Sequence, residues 1–277
     1  MEKRRASGKH PHQRVKVAAV VRKVLLNLCL IAAAGGWFAP FAEAAEGLQL
    51  KVGANGAMEA TLYKPAGAGP FPAILVLHTS SGLRPPDHAY ARRLADEGYV
   101  CLVPDFFTPY GLSQATRQQT FTTHAQAIYS DFVAAIDTLK KMKDVRADRI
   151  GAVGFSNGGY WALLLAARGA VQVGVSYYGA VNAAGTDNSL TAFRNAFTPN
   201  SAPVLVLHGA VDDTVLPRHA EHLKSLLAEA KAPHEFQMYG SAGHSYDRGK
   251  QPDSGATSDS WQRTLRFFDT SIRKSGN

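Results

Sequence analysis

Short runs of apolar residues recur along the chain between residues 48 and 239, each four to six residues long. Runs of this length and composition predict β-strands. The first two runs alternate apolar and polar residues, which predicts an antiparallel hairpin at a sheet edge, whereas most later runs are almost wholly apolar, as in buried parallel strands. The predicted strands are Leu48–Val52, Met58–Tyr63, Ala73–Leu77, Tyr99–Pro104, Ile150–Phe155, Val173–Tyr178, Val204–Leu207 and Glu235–Tyr239.

Segments with apolar residues at helical spacing separate most of these strands. The longest is polar and is predicted to run from about Gln114 to Lys143, with room for a break near Phe121. The other predicted helices are Pro86–Glu97, Gly159–Ala167, Arg218–Ala230 and Trp261–Ile272. Strands that alternate with helices predict an α/β fold, with an open, mostly parallel central sheet and helices on both faces.

One motif, Gly154–Gly158, joins a predicted strand to a predicted helix and has the sequence G-F-S-N-G. G-x-S-x-G at such a junction is typical of a nucleophile elbow, a tight turn that exposes the serine hydroxyl. The turn requires small residues two positions before and two after Ser156, and Gly154 and Gly158 meet that requirement. The motif also occurs in simple glycine-rich turns, so the interpretation depends on partners further along the chain.

Two aspartates follow the predicted strand Val204–Leu207. The carboxyl end of a parallel strand lies at the ligand-binding edge of such a sheet, where an acid can orient a catalytic histidine. The alternative is that Asp212 or Asp213 caps the helix that begins near Pro217. We predict Asp212 as the orienting acid because it follows Gly209 by three residues, a familiar spacing.

His244 lies among small residues on the loop after the last predicted strand, where it can serve as a general base. The alternative is an ordinary surface histidine, one of eight in residues 45–277. The order Ser156, Asp212, His244, with gaps of 56 and 32 residues, favours the catalytic interpretation. This is the order of a catalytic triad in α/β-hydrolases and differs from that of other serine hydrolase folds.

An oxyanion hole in this fold takes one backbone N–H from the residue after the nucleophile and one from the loop after an early strand. The sequence predicts the N–H groups of Asn157 and Ser80, with Thr79 as the alternative to Ser80. His78, at the end of the same strand, is predicted to be a structural hydrogen-bonding residue.

Residues 1–44 have the composition of a secretory signal peptide. Eight basic and two acidic residues accompany the apolar segment Val24–Phe41, and Ala42-Glu43-Ala44 matches an A-x-A cleavage pattern. The predicted domains are therefore a signal peptide, 1–44, and a single α/β-hydrolase domain, 45–277. We expect a periplasmic or secreted protein with no stable membrane association after cleavage. An uncleaved anchor is the alternative, disfavoured by the helix breakers Gly35, Gly36 and Pro40.

The leader also accounts for most of the formal charge. The whole chain carries +8, but residues 45–277 hold 22 basic and 20 acidic residues, or +2. This balance predicts no nucleic-acid binding. Cys101 is the only cysteine in residues 45–277 and is predicted to be a buried, inert thiol. No cysteine and histidine spacing matches a zinc site, and no metal or organic cofactor is predicted. The sequence leaves the oligomeric state open.

Several segments together resemble the dienelactone hydrolase family, over about residues 57 to 272. They are Phe71–His78, Gly82–Leu83, Leu102–Phe107, the elbow, Val175–Gly179, Gly209–Val215 and Gly243–His244. The name-giving enzymes have a cysteine where this chain has Ser156, and a glutamate where it has Thr79. With these two departures, the resemblance implies a general serine carboxylesterase. It argues against dienelactone as the substrate.

Five aromatic residues lie near the predicted site and are expected either to line an apolar acyl pocket or to belong to the core. They are Phe106, Phe107, Tyr110, Tyr160 and Tyr178. For Tyr160, and for its neighbour Trp161, the core interpretation is preferred.

The sequence thus predicts a secreted serine hydrolase that cleaves carboxylic esters or lactones, its small-molecule substrates, through an acyl-enzyme. Ser156 is the predicted nucleophile, His244 the base and Asp212 the orienting acid. The alternatives are a small serine peptidase of the prolyl-oligopeptidase type, a thioesterase or acyltransferase, and a non-catalytic binding module. The last is disfavoured because no member of the triad is missing.

Overall fold

Eight strands form one sheet in the order β1-β2-β4-β3-β5-β6-β7-β8 in this computed structural model, which describes residues 47–181 and 189–273. The strands are β1 Leu48–Val52, β2 Met58–Tyr63, β3 Phe71–Leu77, β4 Val100–Pro104, β5 Val145–Phe155, β6 Val173–Tyr177, β7 Val204–Gly209 and β8 His234–Tyr239. β2 pairs antiparallel with β1 and with β4, and every other pairing is parallel. The predicted edge hairpin and mostly parallel sheet are confirmed.

Helices cover both faces of the sheet. They are α1 Pro85–Asp96, α2 Ala125–Lys140, α3 Asn157–Ala167, α4 Pro217–Glu229 and α5 Ser254–Phe268. Because successive strand residues point to opposite faces, Ile74 and Val76 pack with α1 and α5, while Leu75 and Leu77 pack with α2, α3 and α4. Two apolar cores therefore hold the carboxyl ends of the parallel strands at one edge.

The predicted helix from Gln114 to Lys143 is wrong in its first part. A short 3₁₀ helix, Arg117–Thr120, precedes α2, and the helical structure is interrupted from Phe121, where the sequence left room for a break, until α2 begins at Ala125. The Thr120 hydroxyl donates to the Arg117 carbonyl oxygen at 2.7 Å, a local bond that competes with helical bonding. The Phe121 ring packs edge-on against Tyr160, with ring centroids 4.7 Å apart. This contact draws the segment toward the elbow.

The last helix begins earlier than the predicted Trp261. α5 starts at Ser254, where the Asp253 carboxylate accepts a hydrogen bond from the Ala256 N–H at 2.9 Å. Its first two turns are mostly polar, so apolar periodicity does not reveal them, whereas the capping aspartate does. After Phe268 the chain continues as a single π-helical turn, Asp269–Arg273.

The predicted leader, residues 1–44, lies outside the described residues. The described residues all belong to one compact unit. In the described part of the chain, no helix is long and apolar enough to span a bilayer.

Candidate active site

Ser156 occupies a strained turn between β5 and α3. Its φ and ψ are 52° and −109°, a conformation that non-glycine residues rarely adopt. Backbone hydrogen bonds hold it there: Ser156 N–H donates to the Tyr177 carbonyl at 2.9 Å, and the Ala180 N–H donates to the Ser156 carbonyl at 2.8 Å. A Cβ added to Gly154 would overlap the Gly158 carbonyl, so the sharp turn depends on the glycine that the motif supplies.

Ser156, His244 and Asp212 form a continuous line of hydrogen bonds. The Ser156 Oγ lies 3.0 Å from His244 Nε2, and His244 Nδ1 lies 2.8 Å from Asp212 Oδ2. The carboxyl ends of β5 and β7 and the loop after β8 carry the three residues to the same edge. The structure therefore brings the three predicted triad residues together. Asp213 is exposed and its carboxylate accepts from the Thr214 hydroxyl instead.

The Asp212 carboxylate is buried but well supplied with donors. Its Oδ1 accepts from the N–H groups of Thr214 at 2.9 Å and Val215 at 2.8 Å. Burial acts to raise the pKa of Asp212, but the hydrogen bond and charge of His244, together with the Val215 N–H, outweigh burial and hold that pKa below its ordinary value. Asp212 therefore stays ionised and can stabilise positive charge on His244.

A second histidine, His208 at the end of β7, lies behind the carboxylate and was missed by sequence reasoning. Its Nε2 donates to the Val215 carbonyl at 2.8 Å and lies 3.4 Å from Asp212 Oδ2. Burial lowers the pKa of His208, which favours the neutral form. Its position at a strand end, four residues before Asp212, was the sequence signal that could have predicted its place beside that carboxylate.

The predicted oxyanion donors lie at the start of α3 and on the loop after β3, and hydrogen bonds join these two segments. Asn157 is the first residue of α3, and such N–H groups have no partner within the helix. The Gly158 N–H donates to the His78 carbonyl at 3.0 Å, and the Asn157 side-chain amide lies 3.4 Å from the Ser80 hydroxyl. Asn157 N–H, and Ser80 N–H with Thr79 as its alternative, remain predictions of where an oxyanion would bind.

His78 and Cys101 are buried, as expected of structural residues. The His78 ring stacks on Phe106 at 3.9 Å, and its Nδ1 donates to the Thr79 carbonyl at 2.7 Å. Burial lowers the pKa of His78. Burial also raises the pKa of the Cys101 thiol, which disfavours the nucleophilic thiolate.

Ser156 and His244 line a cleft of about 360 Å³. Polar side chains predominate in its wall, and Arg117 is the one Lys, Arg, Asp or Glu residue among the described lining residues. The lining residues are Thr79, Ser80, Ser81, Gln114, Arg117, Gln118, Phe121, Ser156, Ala180, Thr214, Val215, His244 and Ser245. A polar wall of this kind suits small, polar substrates.

Of the two alternatives for the five predicted aromatics, the structure favours the core over an acyl pocket. None of the five predicted aromatics is a lining residue of the cleft. Phe106, Phe107, Tyr160 and Tyr178 are buried, and the one aromatic residue that does line the cleft is Phe121. The four buried aromatics pack between the sheet and the helices beneath the site. The sequence alone does not distinguish an aromatic residue packed in this way from one that lines a pocket.

Tyr178 instead packs its ring against the imidazole of His244. Its ring stands edge-on to the imidazole with centroids 4.8 Å apart, and its hydroxyl donates to Asp247 Oδ1 at 2.6 Å. Tyr178 and Ser245 have φ values of 38° and 58°, so strained non-glycine backbone flanks the histidine on two sides. Within residues 47–181 and 189–273, no group of three or more His, Cys, Asp or Glu residues has the arrangement of a metal site.

A parallel sheet with a strained serine elbow and an acid and a histidine at the same edge defines an α/β-hydrolase. Solved structures share the fold: a dienelactone hydrolase-like promiscuous phosphotriesterase from metagenomic libraries aligns with a TM-score of 0.65 at 22% identity, over 82% of this chain and 98% of its own.

The model of the dienelactone hydrolase family matches residues 58–272. A carboxymethylenebutenolidase from Rhodococcus opacus is 31% identical over 75% of this chain and 84% of its own length. A Bradyrhizobium protein named as a probable 2-oxo-3-(5-oxofuran-2-ylidene)propanoate lactonase is 30% identical over 70% of this chain and 82% of its own. The chain belongs to the dienelactone hydrolase family and is a hydrolase.

Proposed function

We propose that this protein hydrolyses carboxylic esters or lactones with Ser156 as the nucleophile. The observation that carries the proposal is the line of two hydrogen bonds, 2.8 and 3.0 Å long, from Asp212 through His244 to Ser156. A serine hydroxyl is a weak nucleophile unless an adjacent base accepts its proton, and His244 Nε2 lies at the distance that this transfer requires.

The proposed steps use the hydrogen-bonded groups in the positions described above. Ser156 Oγ attacks the substrate carbonyl while His244 Nε2 accepts the hydroxyl proton, and Asp212 stabilises the resulting imidazolium. The N–H groups of Asn157 and Ser80 stabilise the developing oxyanion. His244 then donates the proton to the leaving alcohol oxygen, which leaves an acyl group on Ser156. A water molecule, deprotonated by His244, hydrolyses this acyl-enzyme and restores the serine.

The cleft and the relatives point to a small, polar ester or lactone. A polar wall that contains Arg117, Gln114 and Gln118 gives little apolar surface to a long acyl chain. The Bradyrhizobium relative is named as a lactonase, and its substrate name includes a propanoate group. We therefore expect lactones and short-chain esters to be better substrates than long-chain esters.

The test compares p-nitrophenyl butyrate hydrolysis by the wild-type protein and by Ser156→Ala. Loss of a triad serine lowers kcat by roughly 10³-fold or more, so the variant should retain only a trace of activity. Ser225→Ala, on the exposed face of α4, is the matched control and should keep wild-type kcat. Equal activity in the wild type and Ser156→Ala would refute a serine acyl-enzyme.

We also propose that the protein is exported and that its leader is removed after Ala44. The basis is the order of basic, apolar and small residues in 1–44. Mass spectrometry of protein from the periplasm or medium should find Ala45 as the first residue. Ala44→Arg, which removes the small residue before the cleavage point, should leave a longer, uncleaved chain. Accumulation of full-length wild-type protein in the cytoplasm would contradict export.

A further inference from the structure

A buried arginine lies next to the candidate triad without touching any of its three members. The Arg248 side chain is only 10% exposed and makes three close contacts. Its Nη1 lies 2.6 Å from Asp87 Oδ1, and its Nε lies 3.1 Å from Asp247 Oδ2. Its Cζ lies 3.4 Å from the centroid of the Phe155 ring, within the range of a cation–π contact. One guanidinium thus joins three separate segments.

Each contact leads to a different part of the catalytic apparatus. Phe155 directly precedes the nucleophile Ser156 in the elbow. Asp247 accepts from the Tyr178 hydroxyl at 2.6 Å, and the Tyr178 ring packs against His244. These two contacts connect Arg248 to the positions of the nucleophile and the base.

The third contact reaches the loop that carries the predicted second oxyanion donor. Asp87 Oδ2 accepts a hydrogen bond from the Arg84 N–H at 2.9 Å. Arg84 is the N-cap of α1 and the last residue of the loop that begins at Thr79. The Arg84 Nε in turn donates to the Ser81 carbonyl at 3.0 Å. Ser80 therefore lies in a loop whose far end is fixed by the carboxylate that binds Arg248.

The chemistry of this position requires a guanidinium. Asp87 is buried and Asp247 is mostly buried, and both need a cation that satisfies two carboxylates in different directions. A planar guanidinium can donate from Nη1 and Nε along separate axes while its face lies on the Phe155 ring. A lysine ammonium has the same charge but is a compact point charge, so it cannot make all three contacts at once.

We propose that Arg248 is a positioning residue that holds Ser156, His244 and the Ser80 loop in one reactive arrangement. The inference rests on the proposed function of Ser156 and His244. Arg248 does not contact the reacting atoms; it fixes the residues behind them. Misplacement of a reacting group by about 1 Å can lower the rate about 100-fold, so loss of this contact should lower kcat much more than it changes KM.

The experiment measures kcat and KM for p-nitrophenyl butyrate with protein expressed from the full sequence. Arg248→Lys keeps the charge, and Arg248→Ala leaves a space that an added guanidinium ion can enter. The side chain borders recesses of about 300 and 250 Å³, which provide access for that ion. Arg93→Ala is the matched control, because Arg93 Cζ lies 3.9 Å from the centroid of the Trp261 ring in the same 300 Å³ recess. Among the described residues, no hydrogen bond or ion pair joins its side chain to Asp87, Asp247 or Tyr178.

We expect Arg248→Lys to lower kcat about 10-fold to 100-fold with KM changed less than about threefold, at a temperature well below the Tm of the variant. Guanidinium at about 20 mM should raise the kcat of Arg248→Ala several-fold, while Ser156→Ala and Arg93→Ala should not respond. A merely structural role would lower Tm but would give neither the selective loss of kcat nor the rescue.

Two results separate the failure of this inference from the failure of the proposed function. If Ser156→Ala is inactive while Arg248→Lys keeps kcat within about twofold of the wild type, Arg248 does not position the site. If Ser156→Ala remains active, the proposed function is refuted and the inference falls with it. Should Arg248→Ala not fold, Arg248→Lys alone decides between these results.

Discussion

Two histidines near the site are buried, and burial outweighs the nearby carboxylates of Asp105 and Asp212 in its effect on their pKa values. His78 is stacked on Phe106, and His208 donates to the Val215 carbonyl. Burial lowers the pKa of each below the ordinary value, so protonation is harder in the folded protein than in the unfolded chain. Both residues therefore make the stability of the fold depend on pH.

Stability should decrease as the pH falls from 7 to 5. The unfolded chain binds protons at its histidines near pH 6.5 while His78 and His208 stay neutral in the fold, so acid favours unfolding. The contribution is absent well above pH 6.5 and reaches at most about 1.4 kcal/mol per pH unit for each residue. His78→Asn, which keeps a donor for the Thr79 carbonyl, should reduce the slope of unfolding free energy against pH. The fixed cost of the substitution is measured at pH 8, and equal slopes in both proteins would contradict the prediction.

At the level of single residues, the G-x-S-x-G motif and the order of the candidate residues along the chain predicted which side chains lie together at the site. Ser156, Asp212 and His244 each follow a strand, so chain order and strand ends place them at one edge. Arg248 carries no such local signature, whereas His208 lies only four residues before Asp212. The partner of Arg248, Asp87, is defined only when α1 and the His244 loop are packed together.

The elbow is the element whose shape depends most on side-chain size. A Cβ at Gly158 would overlap the carbonyl oxygens of Leu77 and His78, the residues that carry the chain from β3 into the first loop. The Gly158 N–H also donates to the His78 carbonyl. The start of α3 and the end of β3 are therefore in direct backbone contact, which leaves no space for a larger residue.

Gly158→Ala should displace α3 from β3 and disrupt both stability and catalysis. Overpacking of this kind costs about 1 to 3 kcal/mol in unfolding free energy, and displacement of the neighbouring Ser156 should lower kcat at least about 10-fold. Gly240→Ala is the control, because nothing lies within 4 Å of its added Cβ. Thermal unfolding and the rate of Ser156 labelling by a fluorophosphonate measure the two effects. Wild-type labelling by Gly158→Ala would show that the elbow tolerates the larger residue.

Element boundaries show where local patterns stop being informative. Strands β3, β4, β6 and β7 were predicted within two residues of their observed bounds because both of their faces are buried, which makes them continuous apolar runs. Strand β5 begins at Val145, before the predicted Ile150, because residues 146–149 are mostly polar and at least partly exposed.

The polar segment before α2 has no such continuous apolar run. Its path is determined by the Thr120 hydroxyl, which accepts from the Asn157 amide at 3.0 Å, and by Phe121 packing on Tyr160. Because of these long-range contacts, the segment from Gln114 to Phe121 does not form the predicted continuous helix and instead lines one wall of the cleft.

For the whole molecule, net charge gives little guidance to the substrate. The 22 basic and 20 acidic residues of 45–277 nearly balance, so long-range attraction of a charged substrate should be weak. Selection must then come from charges inside the cleft. Arg117 is positioned there by a hydrogen bond of 2.7 Å from its Nη1 to the Gln114 carbonyl.

Arg117 should therefore favour esters whose acyl group carries a carboxylate. We expect Arg117→Gln to lower kcat/KM for p-nitrophenyl hemiglutarate about fivefold, because an exposed ion pair contributes up to about 1 kcal/mol, and to leave p-nitrophenyl butyrate nearly unchanged. Added salt at about 0.5 M should reduce the wild-type preference in the same direction, since it screens exposed charges. Arg146→Gln, at the start of β5 and the opposite end of that strand from the elbow, is the control and should leave the ratio of the two substrates unchanged. An equal loss for both esters in Arg117→Gln would mean that Arg117 supports the cleft wall and does not recognise substrate charge.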